Sequence, residues 1–144
     1  MFIKVNKYLF KLLVLIVLVS CTRPDNSTEV IANYATDVDF LKRNLKSVIE
    51  LSDESGQAKV LITADYQGRV MTSTASGNEG NSYGWINYEL IESGEKKKQF
   101  NPVGGEERFW LGPEGGQYSL YFHQGDSFVI KNWQVPPMID TETF

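Results

Sequence analysis

Apolar positions along the chain change texture three times. Leu12 to Val19 is an unbroken apolar run behind Lys4, Lys7 and Lys11. As a helix this run would span only about 12 Å, against a bilayer core of about 30 Å. It therefore reads as the apolar region of an export signal, residues 1–20, and not as a membrane span. Residues 21–35 are mostly polar and lack a period, which predicts a tether. Thr36 or Asp37 is then placed to cap a short helix running to about Leu45, with Phe40, Leu41 and Leu45 on one side.

From Ser47 onward the pattern is that of short strands. Val48–Leu51, Ala58–Ala64 and Arg69–Thr74 are strand-like runs, separated by the turn sequences Asp53–Gly56 and Asp65–Gly68. Alternation in the third predicts Val70, Thr72 and Thr74 on one face. Trp85–Glu92 fits either a short helix or a strand, with Ile86, Leu90 and Ile91 on its buried side. Gln117–His123 predicts a strong strand and Phe128–Ile130 a weaker one. All 12 glycines lie between Gly56 and Gly125. Short strands punctuated by glycine turns predict a mainly β domain over residues 36–144, an antiparallel sandwich or barrel.

Composition narrows the chemistry. The sequence holds one cysteine and one histidine, which excludes a disulfide framework and a multi-histidine metal site within one chain. No metal and no cofactor is expected. The net charge of the 144 residues is -4. Removing residues 1–20 takes away three lysines and no acid, leaving 11 basic and 18 acidic residues, net -7. An acidic domain is not a nucleic-acid binder, and it stands off an anionic lipid face. Lys96-Lys97-Lys98 is a solvated turn.

The apolar run ends in Leu18-Val19-Ser20-Cys21. This resembles the lipobox of bacterial lipoproteins, in which a small residue precedes a cysteine that is acylated and becomes the new N-terminus. The resemblance implies lipidation at Cys21, with the lipid bilayer as a partner. It also implies an extracytoplasmic location on the bacterial cell envelope. Acyl chains at about 0.8 kcal/mol per buried methylene make such an anchor firm.

Candidate chemistry concentrates in Gly104–Gly116, which contains five glycines around Arg108, Trp110 and Glu114. Glycines allow close backbone approach. An aromatic face beside charged donors and acceptors suits a carbohydrate. Arg69, after the turn at Gly68, is a further ligand-binding candidate. The plainer alternatives are an Arg108–Glu114 ion pair over a core Trp110, and a solvated Arg69. Asp140 and Glu142 would share one face of a strand, as a carboxylate pair or as polar decoration of a chain end. His123 reads as a surface residue. No phosphate loop, zinc spacing or Gly-x-Ser-x-Gly is present.

Leu51–Gln57, Tyr66–Thr74, Tyr83–Asn87, Gly104–Gly116, Asn132–Gln134 and Ile139–Glu142 together carry a resemblance over about two thirds of the chain. The chain is similar to an uncharacterised family of exported bacterial proteins associated with the galactose-mutarotase-like β-sandwich. The resemblance implies a partial sandwich, the N-terminal part of a larger one, following the signal segment and short helix. It further implies sugar binding or epimerase-like chemistry. Epimerases of that superfamily pair a carboxylate base with a histidine acid, and both would fall outside this length of chain. The alternative is a non-catalytic structural or interaction lipoprotein.

Overall fold

The computed structural model describes residues 32–144. The signal segment, the lipidation site Cys21 and most of the tether lie outside the described residues. Asn33–Ala35, expected to end the tether, belong to the fold instead. Tyr34 N–H and Ala35 N–H donate to Gly80 O and Asn78 O, each at 2.9 Å.

Helix α1 spans Tyr34–Asn44, and Asn33 caps it rather than Thr36 or Asp37. Asn33 Oδ1 accepts from Thr36 N–H at 2.9 Å and from the Thr36 hydroxyl at 2.7 Å. Asp37 is unavailable as a cap because its carboxylate points inward, where Ser82 Oγ and Tyr88 OH donate to it. Tyr34, Asp37, Val38 and Leu41 form the buried stripe, at the three-and-four spacing of a one-sided helix.

The main sheet is an antiparallel meander of β1 (Val48–Ser52), β2 (Lys59–Thr63) and β3 (Arg69–Thr74). Asp53 Oδ1 closes the first turn by accepting from Gln57 N–H and Ala58 N–H. At the second, Ala64–Tyr66 makes one 3-10 turn, and Gln67 is left-handed at φ 60°. Its side chain donates to Glu142 O at 2.7 Å, which ties this turn to the C-terminal segment.

The register slips between Leu61 and Ile62, so Met71 is the extra residue of a bulge in β3. Val70 consequently leaves the face of Thr72 and Thr74, against simple alternation. It pairs with Ile62, and Thr72 pairs with Leu61.

The Trp85–Glu92 stretch is both a strand and a helix. β4 (Trp85–Ile86) pairs antiparallel with β5 (Gly104–Gly105), and α2 follows at Tyr88–Ser93. Asn87 Oδ1 caps α2, and left-handed Gly94 ends it. The two-stranded sheet joins the meander through a Val70–Glu107 bridge. The described domain is thus mainly β, with antiparallel sheets of three and two strands, compatible with part of a sandwich.

Gln117–His123 and Phe128–Ile130 do not form strands. The chain there is a series of turns, with a 3-10 turn at Ile130–Asn132 and another at Pro137–Ile139. Side-chain packing prevails over backbone pairing in this region. Tyr121, Val135 and Ile139 make a second core with Phe100, Trp110, Phe122 and Trp133 around it. The first core joins α1, the meander and α2 through Tyr34, Leu41, Leu61, Met71 and Leu90.

Candidate functional site

Four rings dominate the second core. Phe100, Trp110, Tyr121 and Trp133 lie with neighbouring centroids 5.0 to 6.5 Å apart. The turns just described bring Tyr121 and Trp133 inward and leave Tyr118 and Phe128 exposed. The Tyr121 hydroxyl is fixed by donation to Leu111 O at 2.6 Å, and burial pushes its pKa up.

Arg108, Trp110 and Glu114 meet, although not as the proposed ion pair. Arg108 lies over the Trp110 ring, 4.2 Å from its centroid. Its Nη2 donates to Ile139 O at 2.7 Å and sits 3.5 Å from Asp140 Oδ1. Burial lowers the guanidinium pKa, and Asp140 opposes that shift. Glu114 Oε1 accepts from the Trp110 indole N–H at 2.5 Å. Trp110 is half-buried.

Arg69 lies apart from this group and is neither solvated nor exposed. Its side chain is buried, and Nη1 donates to Gly104 O at 2.9 Å. Burial, and after it the Arg108 charge, pulls the guanidinium pKa down to about 10. Arg69 Nε and Nη2 and Arg108 Nε have no partner among the described residues. Arg69 therefore acts in the join between β3 and β5, not in an open cleft.

Asp140 is the residue whose role the sequence pattern hid. It is buried after a 3-10 turn and not on a strand, so it shares no strand face with Glu142. Asn101 N–H and Nδ2–H donate to its Oδ2 at 3.0 and 2.8 Å. Two buried polar residues, 39 positions apart, thereby close the second core. Its signal in the sequence is the acid directly after the apolar Pro137–Ile139 turn.

The open concavity is a shallow cleft of about 520 Å³ between Glu114–Gly116 and Phe128–Trp133. Phe122, Phe128 and Trp133 form its aromatic wall, and Glu114 supplies its carboxylate. One oxygen of that carboxylate holds Trp110; the other has no protein donor among the described residues. Gly115 and Gly116 have open space where a side chain would stand, so the cleft floor is bare backbone. Of the four ligand-binding candidates, Glu114 alone lines this cleft. Trp133 and Phe128 reach the cleft from outside the glycine-rich Gly104–Gly116 segment, and no sequence spacing links them to Glu114.

His123 is exposed and lines neighbouring clefts that Glu114 does not. No group of three or more His, Cys, Asp or Glu suited to a metal ion occurs among the described residues. Among them, too, no helix is long and apolar enough to cross a membrane.

Residues 32–144 match a family of unknown function, DUF6786. The chain belongs to the DUF6786 family. The matched residues are the ones that build both cores, so the Arg108–Asp140 pair and the aromatic cleft lie inside the part of this DUF6786 protein that defines its membership. No curated protein and no solved structure matches the chain.

Proposed function

We propose that this DUF6786 protein is a lipid-anchored, extracytoplasmic carbohydrate-binding protein of the bacterial envelope. In this reading the chain is part of a mutarotase-like sandwich, tethered through an acylated Cys21. The observation that carries the binding role is the cleft in which the Glu114 carboxylate stands beside Phe122, Phe128 and Trp133. Aromatic faces take the C–H surface of a sugar, and a carboxylate oxygen accepts from its hydroxyls. The reading stops at binding. Epimerisation needs an acid and a base on one substrate, and His123 lines no cleft with Glu114.

One observation favours the alternative of an interaction lipoprotein. Phe128 is 60% exposed and Ile130 77%, with exposed Val129 between them, an apolar run that a protein partner would cover.

The test has two arms on the full chain. Labelled palmitate is expected to enter the native protein and not Cys21→Ser; equal labelling of both removes the anchor. Binding to a panel of glycans is expected to fall about 5- to 150-fold in Phe128→Ala, the effect of losing about 1–3 kcal/mol of stacking. Melting temperature should hold, because Phe128 is exposed. Native protein that binds no glycan removes the sugar reading and leaves the interaction reading.

A further inference from the structure

β1 is the outer strand of the three-stranded sheet. Its pairing with β2 fixes which backbone groups it has left. Ala64 N–H donates to Ser47 O and Asp53 N–H to Ala58 O. With Val48 opposite Thr63 and Ile49 opposite Ile62, the hydrogen-bonded positions of β1 are therefore the odd ones, Ile49 and Leu51. The N–H and C=O groups of Val48, Glu50 and Ser52 point the other way, and none has a backbone partner there among the described residues.

Of the usual protections of such an edge β1 has one charge, Glu50, which Lys42 and Lys59 already pair. β1 holds no proline or lysine, and the bulge of this sheet lies in β3. Ile49 is 57% exposed and Leu51 52%, and they share a face with Val60, Ile62 and Val70. An open row of backbone groups beside exposed aliphatic side chains is a surface for another extended strand.

We propose that β1 pairs antiparallel with β1 of a second copy of this chain, making one continuous six-stranded sheet. The sequence of the strand is complementary to itself about Glu50. In that register Val48 stands opposite Ser52 of the other copy, and Ile49 opposite Leu51. The pairing is confined to Val48–Ser52, since the chain bends away at Lys46 and turns at Glu54. The central Glu50 pair meets itself, but each carboxylate already has Lys42 at 2.7 Å and Lys59 at 3.7 Å. The three even positions of each copy then exchange roughly six hydrogen bonds across the axis.

The experiment measures the mass of the full chain in detergent by light scattering across a concentration series. A dimer is expected, and Leu51→Lys should weaken association about tenfold or more, because it sets a charge against an aliphatic partner. Leu51 is exposed, so a circular dichroism melt should show the variant still folded. Register is read with Ile49→Cys and Leu51→Cys, both in a Cys21→Ser background. A mixture of the two is expected to form a disulfide between unlike chains, since directly opposed strand positions meet disulfide geometry. A monomer at all concentrations, as when residues 22–31 of the same chain cover the edge, overturns the proposal. So does a dimer that Leu51→Lys leaves intact, or cross-linking in Ile49→Cys alone.

Discussion

Trp110 donates its indole N–H to Glu114 at 2.5 Å while Arg108 covers a face of the same ring. The indole is thus held at its edge and on its face by its own chain. A ring so engaged braces the second core and is not a free stacking platform. Trp110→Ala is expected to destabilise by about 3–5 kcal/mol, the cost of emptying a large aromatic site. Glu114→Gln keeps an acceptor for the indole and should cost no more than about 1 kcal/mol. Urea unfolding of the two variants measures both. Equal stability losses would mean that the carboxylate charge, and not the ring, holds the segment.

The difference between Arg69–Thr74 and Gln117–His123 explains what the sequence made legible. Both are rich in β-forming residues. The first has a neighbour, Lys59–Thr63, across a short turn, and becomes a strand with the predicted bounds. The second has none, so Tyr121 and Phe122 pack into the second core, Tyr118 stays exposed and the backbone turns. Local pattern reports propensity, whereas a strand needs a partner that local pattern does not name. The same limit applies to the site. Arg108, Trp110 and Glu114 are near in sequence and meet in space, although only Glu114 lines the cleft. Asp140 joins them from far along the chain, and Arg69 is drawn away to Gly104 by the β3–β5 contact. Non-local partners of this kind leave no spacing to read.

Asp140 is expected to be among the most sensitive polar positions. Its carboxylate is buried, takes two N–H donors from Asn101 and faces Arg108. Asp140→Ala leaves those donors unmet and a partly buried guanidinium without its counter-charge, at a cost of about 3–5 kcal/mol. Asp140→Asn retains one acceptor and should cost less. Denaturant midpoints rank the pair, and an alanine variant as stable as the native protein would show that Arg108 is held by Ile139 O alone.

Alkaline pH is expected to unfold the domain through its tyrosines. Burial raises the pKa of Tyr34, Tyr66, Tyr88 and Tyr121 above the ordinary 10.0, and at Tyr88 the adjacent Asp37 adds to it. A tyrosine that stays neutral when folded but ionises when unfolded holds more protons in the native state. Its contribution to stability is complete below pH 10 and declines as pH rises beyond it. Unfolding monitored by tyrosinate absorbance should therefore start above pH 10 and be cooperative with loss of circular dichroism. Tyr88→Phe should blunt the pH slope while lowering stability near neutrality, because Asp37 loses a donor. A native-like slope in that variant would assign the transition to the other three rings.

Within Gly104–Gly116, Gly104 and Gly105 differ from Gly115 in expected tolerance. Gly104 has φ 96°, and a Cβ there would lie 2.0 Å from Trp85 O across the β4–β5 pair. Gly105 has φ 107° and would press a Cβ to 2.8 Å from Val70 O. Both combine a left-handed backbone with a wall of main chain that cannot move without breaking the small sheet. Gly104→Ala should therefore destabilise severely, by more than the roughly 1 kcal/mol of backbone strain alone. Gly115 has neither a left-handed φ nor any atom within 4 Å of its absent Cβ. Gly115→Ala should leave the melting temperature unchanged or slightly higher, since alanine narrows the unfolded ensemble. The methyl group would nevertheless stand on the floor of the cleft beside Glu114. Unchanged melting with weakened ligand binding in Gly115→Ala places the bare backbone in the binding surface. Unchanged melting with unchanged binding means that the ligand rests on the aromatic wall alone.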